Sequence, residues 1–260
     1  MAFSTKKTQY FAITAASNEG EYWEESKRPL ACLLFLLPLL GLYEWGVVRY
    51  GGNHPESVRN GADYWMRSWL RQAGLAFELL LPCLVLMSLL GWHLASRQPW
   101  RIARETIAGM FAESLLCAFC LVVIGQLTDL VFQRISTPAL TMSASGPSRT
   151  SIAVTYVGAG IYEEVMFRLC LLPLCFVAFR AMRLKTGWAA FLAMLTSSLV
   201  FSLAHYIGEA GEPFELFTFA FRTIAGLFFA ALFVARGFGI TVGCHAAYDL
   251  LVGLLMDFSR

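Results

Sequence analysis

IAVTYVGAGIYEEVMFR, residues 152–168, is an apolar run interrupted by two adjacent carboxylates, Glu163 and Glu164, and then by Arg168. The chain stays apolar on both sides, as IAVTYVGAGIY before the carboxylates and LCLLPLCFVAF after the arginine. Three charges therefore fall where a membrane helix would be buried. Each costs about 2.5–3.5 kcal/mol on insertion scales unless it is paired or hydrated, so a functional reading is the default. Two further polar intrusions lie downstream: His205 in SSLVFSLAHY, and His245 with Asp249 in GCHAAYDLL.

The whole chain shares this apolar character. Hydrophobic residues make up 57 % of the 260 and charged residues 15 %, against roughly a quarter charged in soluble domains; mean hydropathy is +0.59. The fold class this implies is all-α, a polytopic membrane helix bundle, with room for seven or eight transmembrane helices of ~20 residues. No basic run suits nucleic acid. The seven Cys are an odd number and all sit in apolar runs, which does not fit a secreted disulfide framework. Cys117 and Cys120 have the spacing of a redox or metal pair, but they are read here as small packing residues of a membrane helix. Residues 1–29 lack a continuous apolar segment, so a cleaved signal peptide is not expected.

In order, the chain reads as a polar lead-in (1–29), N-terminal transmembrane helices and loops (30–149), and a core carrying the polar intrusions (150–260). Spans are expected at about 30–48, 75–94 and 106–132, then one that holds the carboxylates and is followed by a Pro-containing apolar run (169–179), and then at about 188–206, 216–235 and 240–256. Glu44 is expected at the interface, and the Trp- and Arg-containing stretch 62–72 in the headgroup region. The small, polar linker 136–150 and the acidic connection IGEAGEPFE are expected as loops. Lys/Arg bias favours a cytoplasmic N-terminus: Lys6, Lys7, Lys27, Arg28, Arg97, Arg101, Arg104, Arg180, Arg183, Lys185 and Arg236 outnumber Arg49, Arg59, Arg67, Arg71, Arg134, Arg149 and Arg260. Such a ladder sets His205 roughly 10–15 Å from the depth of Glu163 and His245. To bring them together, either 152–183 must break into two helices or the acidic connection must dip into the bundle.

Glu164 and Arg168, four apart, share a helix face and can pair. Glu163 is rotated by about 100° and is left free. A free carboxylate beside His205 suits proton transfer from water, and His245 with Asp249, again four apart, could face a developing oxyanion. An ionised Asp249 accepts hydrogen bonds only and would then orient His245 instead. The structural alternatives are a buried ion pair locking two helices, a histidine bonded to a carbonyl at a span end, and a polar helix–helix contact. Glu78, Glu113, Asp129 and Arg222 remain unassigned, and His54 and His93 look structural.

The ordered set Glu163-Glu164-x3-Arg168, Phe201-x3-His205 and His245-x3-Asp249, on successive apolar spans, resembles the CPBP family, the CAAX-protease and bacteriocin-processing group related to the Ras-converting endopeptidase. The likeness covers about residues 150–256. It implies an intramembrane endopeptidase in which Glu163, with His205, activates water and His245 and Asp249 steady the oxyanion, supported by Glu164, Arg168 and Phe201. Many members carry Asn at the last position, and Asp249 weakens a literal transfer of the donor role. The expected partners are the lipid bilayer and an unidentified peptide or protein substrate, with no nucleic acid, in a bacterial inner membrane. No cofactor is expected; a zinc reading would use Glu163, His205 and His245 as ligands, without an HExxH sequence. The rivals are a non-catalytic scaffold or bacteriocin-immunity factor of the same fold, and a proton-coupled transporter, since intramembrane Glu, His and Asp also build proton relays.

Overall fold

A computed structural model describes residues 21–133, 149–208 and 211–256. Most of the lead-in, Arg134, most of the 136–150 linker, part of the acidic connection and Arg260 lie outside the described residues. Every regular element among them is helical: α1 (Pro29–Gly51), α2 (Gly61–Gln72), α3 (Leu80–Ser96), α4 (Arg104–Gln133), α5 (Arg149–Glu164), α6 (Leu172–Ala181), α7 (Thr186–Ala204), α8 (Leu216–Arg236) and α9 (Phe238–Leu250). Four of the described helices are long and apolar enough to cross a membrane: α1, α4, α7 and α8. The apolar helices Leu80–Ser96 and Phe238–Gly253 are shorter. The protein is thus an all-helical integral membrane protein. Large apolar side chains such as Trp45, Phe111, Phe119, Val177 and Trp188 are exposed around its outside, as lipid-facing positions require.

The expected break in 152–183 takes a different form. α5 and α6 are one continuous helix joined by a π-helical turn, Val165–Leu171. Pro173 sits in the first turn of α6 and has no N–H to donate, so the preceding turn widens: the Leu172 amide bonds to the carbonyl of Phe167, five residues back. The Ser197 hydroxyl of α7 donates to that same carbonyl at 3.0 Å. Because the helix runs on to Ala181, Glu163 and His205 lie about twenty residues before and after the turn at 182–185, roughly 30 Å along each helix. The two therefore reach one depth, and the mismatch expected from the ladder disappears.

Small residues bring the backbones together. A Cβ on Gly160 would meet the backbone nitrogen of Ala246 at 2.6 Å, so α5 and α9 touch main chain to main chain beside the polar intrusions. A Cβ on Gly226 would meet the Cα of Ser198 at 3.0 Å, joining α7 and α8, and Gly158 receives the ring of Tyr43 from α1. With lipid as solvent, close packing of this kind supplies much of the helix association. At the opposite end, Arg236 closes α8 on the carboxylate of Glu113 (2.5 and 2.8 Å) and lies over the ring of Trp23 at 3.6 Å. This gives Glu113 a partner. Gly237 (φ 84°) then turns the chain into α9, a conformation that suits glycine.

Gly160→Val should destabilise the protein by about 1–3 kcal/mol, because a backbone neighbour cannot yield as a side chain would. Gly41→Ala, where a Cβ would meet nothing within 4 Å, should instead stabilise by up to about 1 kcal/mol, because alanine is the better residue inside a helix. Thermal unfolding of the purified protein in detergent compares the two.

Candidate active site

The two adjacent carboxylates face different partners. Glu164 is fully buried; its Oε2 lies 3.2 Å from Arg168 Nε, and its Oε1 lies 2.7 Å from His245 Nδ1. A carboxylate accepts, so Nδ1 of His245 carries the donated hydrogen. Arg168 is also fully buried. Its Nη2 donates to the Gly226 carbonyl of α8 at 3.1 Å, while Nη1 has no hydrogen-bond partner among the described residues. The guanidinium lies over the rings of Phe201 (4.6 Å) and Phe229 (5.4 Å), and these faces attract the charge where no acceptor reaches it. The pairing read from the i, i+4 spacing is present, and it also takes in α7, α8 and α9.

Glu163 points elsewhere. Its Oε2 lies 4.0 Å from His205 Nε2 and 3.8 Å from His245 Nε2, gaps too long for a direct hydrogen bond. His205 caps the C-terminus of α7. Its Nδ1 is 2.9 Å from the Phe201 carbonyl; a carbonyl only accepts, so Nδ1 is the donor and Nε2 is the atom turned to the carboxylate. Phe201 thus supports the site twice, through its carbonyl on His205 and through its ring under Arg168. Phe229 stacks on His245 with centroids 4.4 Å apart and planes 16° from parallel. The helical spacing of His245 and Asp249 places Asp249 Oδ2 3.6 Å from His245 Nε2. Glu163, His205, His245 and Asp249 therefore occupy one place, Glu163 only 8 % exposed and the His205 side chain 25 % exposed toward the surface.

The N-terminal half supplies a partner that sequence reasoning missed. Asn60, just ahead of α2, donates from Nδ2 to Glu163 Oε1 at 2.9 Å. Behind it stands a buried polar cluster. Tyr43 donates to Asp63 (2.7 Å), which Arg59 (2.8 Å) and Arg67 (2.5 Å) also engage. Arg67 and the Tyr162 hydroxyl, next to Glu163, both donate to Glu44 at 2.8 and 2.9 Å. Glu44 is therefore part of an internal network, not the interfacial group expected, and Glu78 joins the same cluster through Arg59 at 3.1 Å. Burial opposes the charge of Arg59, but Asp63 and Glu44 more than compensate and raise its pKa above the ordinary guanidinium value. The order of Arg, Asn and Asp at 59–63 carries no motif; the i, i+4 spacing of Arg59, Asp63 and Arg67 was the available signal. Arg222 pairs with Glu212 at 2.8 Å in the segment after His205.

Residues 146–251 match a family model described as Rce1-like, Type II CAAX prenyl endopeptidase Rce1-like. The matched stretch contains Glu163, Glu164, Arg168, His205, His245 and Asp249, whereas Asn60 and its cluster precede it. No curated protein and no solved structure matches the chain.

Arg168→Leu should cost about 3–5 kcal/mol, because it strands the buried charge of Glu164. The double variant Glu164→Gln with Arg168→Leu should recover part of that loss. Unfolding midpoints of the two proteins in detergent make the comparison, and equal losses would show that the pair does not hold the bundle.

Proposed function

From the match of residues 146–251 to a Type II CAAX prenyl endopeptidase family model, we propose that this protein is an intramembrane endopeptidase that hydrolyses a peptide bond of a membrane-associated protein or peptide. The observation that carries the reading is the convergence of two imidazole Nε2 atoms on one oxygen of Glu163, at 3.8 and 4.0 Å. Water held there gives its proton to Glu163 as it attacks the scissile carbonyl, and Glu163 returns that proton to the leaving amine. His205, its Nδ1 hydrogen committed to Phe201, turns Nε2 to the same water. His245 is fixed by Glu164 and, with Asp249, lines the side where the oxyanion develops. Asp249 donates to that oxyanion only when protonated; ionised, it orients His245.

Zinc on the same three atoms is the competing chemistry. Tetrahedral zinc with ligands at about 2.0–2.2 Å keeps its donors roughly 3.3–3.5 Å apart, less than the separations of both histidines from Glu163. Two groups sharing one water stand about 4–5 Å apart, so separations of 3.8 and 4.0 Å fall between the two cases, and no step here is assigned to a metal. In the same reading the chain crosses the membrane seven times, through α1, α3, α4, the continuous helix 149–181, α7, α8 and α9. The N-terminus is placed in the cytoplasm by the Lys/Arg bias, and the membrane is a bacterial inner membrane.

Glu163→Gln, His205→Ala and His245→Ala should each lower cleavage by about 10²–10⁴-fold. The assay uses purified protein in detergent with an internally quenched peptide ending in a prenylated Cys-aliphatic-aliphatic-X sequence, alongside labelled casein as a generic chain. A chelator should leave the rate unchanged, with metal quantified in the same sample. Undiminished cleavage by all three variants would end the assignment, and chelator sensitivity with stoichiometric zinc would replace water activation by metal catalysis.

A further inference from the structure

We infer that Asn60 is a positioning residue for Glu163: its amide holds one carboxylate oxygen so that the other is turned to the two imidazoles. This rests on the reading of Glu163 as the general base. The orientation of the amide is determined by its surroundings. Asn60 Oδ1 accepts the backbone N–H of Ala62 at 2.8 Å, while Nδ2 reaches Glu163 Oε1 at 2.9 Å. A flipped amide would set oxygen against the carboxylate and NH2 against an N–H, losing both bonds.

The backbone of Asn60 is held as firmly. Its N–H donates to the Tyr43 hydroxyl at 3.3 Å, and Tyr43 is bound to Asp63 and packed on Gly158 of α5. Two residues earlier, the Val58 carbonyl accepts from the Thr155 hydroxyl of α5 at 2.9 Å. The loop is thereby pinned to the helix that carries Glu163, one to two turns ahead of it. Asn60 is itself buried, at 8 % exposure.

The other groups facing Glu163 show why such a residue is needed. His205 approaches from the end of α7, and His245 and Asp249 from α9. On its own helix, Glu164 and Arg168 are committed to each other and to His245. None of these holds Oε1. A carboxylate free to rotate would offer either oxygen in any orientation, whereas one tied at Oε1 presents Oε2 in a single direction, which is the preorganisation that proton transfer from a bound water requires.

Asn60 also caps α2, so the test must separate the two roles. Asn60→Asp and Asn60→Ser both keep a good capping side chain. The first replaces the donor by a carboxylate; the second is too short to reach Glu163. Cleavage of the quenched peptide should show kcat reduced by roughly tenfold to a hundredfold in both variants with KM little changed, which a misfolded site would not give. Independently of any substrate, dicyclohexylcarbodiimide, which adds to protonated carboxyl groups in apolar surroundings, should label Glu163 severalfold faster at neutral pH in Asn60→Asp than in wild type, read by mass spectrometry. Wild-type kcat and wild-type labelling in both variants would overturn the inference while leaving the base reading intact if Glu163→Gln is inactive. Full activity of Glu163→Gln would overturn the base reading, and the catalytic role of Asn60 with it, even where the labelling difference showed that the contact exists.

Discussion

The buried ion pair between Glu164 and Arg168 is the interaction on which the arrangement of the bundle turns. An isolated charge at this depth is expensive, and each partner removes the other's cost only while both stay in register. The pair spends its remaining valences on neighbours. Arg168 reaches the Gly226 carbonyl of α8 and the rings of Phe201 and Phe229, while Glu164 holds His245 of α9. Four helices are thus referenced to one charge pair. Glu163, the next residue back, is rotated out of that arrangement and is left facing the histidines.

Geometry this tight needs backbones that can approach, and glycine supplies the space. Gly160 against Ala246 brings α9 close enough for His245 to reach both carboxylates, and Gly226 against Ser198 does the same for α8 and α7. These contacts explain how a site assembled from three separate apolar stretches is held together. Packing between small residues, polar pairs inside and bulky apolar groups outside is the division expected when lipid, not water, surrounds the fold.

Much of this was legible in the sequence for a simple reason: charged and imidazole groups stand out against aliphatic surroundings. The pairing of Glu164 with Arg168, the shared face of His245 and Asp249, and the helical character of every described element follow from spacing and composition alone. The depth of His205 was misjudged because the span holding the carboxylates was set on a ladder of separate spans, whereas the helix runs on through a widened turn to Ala181. The role of the 59–67 cluster was invisible because Arg, Asn, Asp and Trp in a loop are ordinary. What makes Asn60 and Glu44 special is their long-range partners, Glu163 and Tyr162, and no local pattern encodes those. The family likeness begins after that cluster, at residue 146, and so could not point to it.

The widened turn at Val165–Leu171 has a consequence for how this helix can vary. A π-turn holds one residue more than the α-helical path would, so it absorbs that residue while the two halves of the rod keep their faces. Removing a single residue between Arg168 and Pro173 would let the rod close into regular α-helix with both halves still on their present faces. What such a removal would lose is the widened turn itself, and with it the Phe167 carbonyl that the Leu172 amide and the Ser197 hydroxyl share.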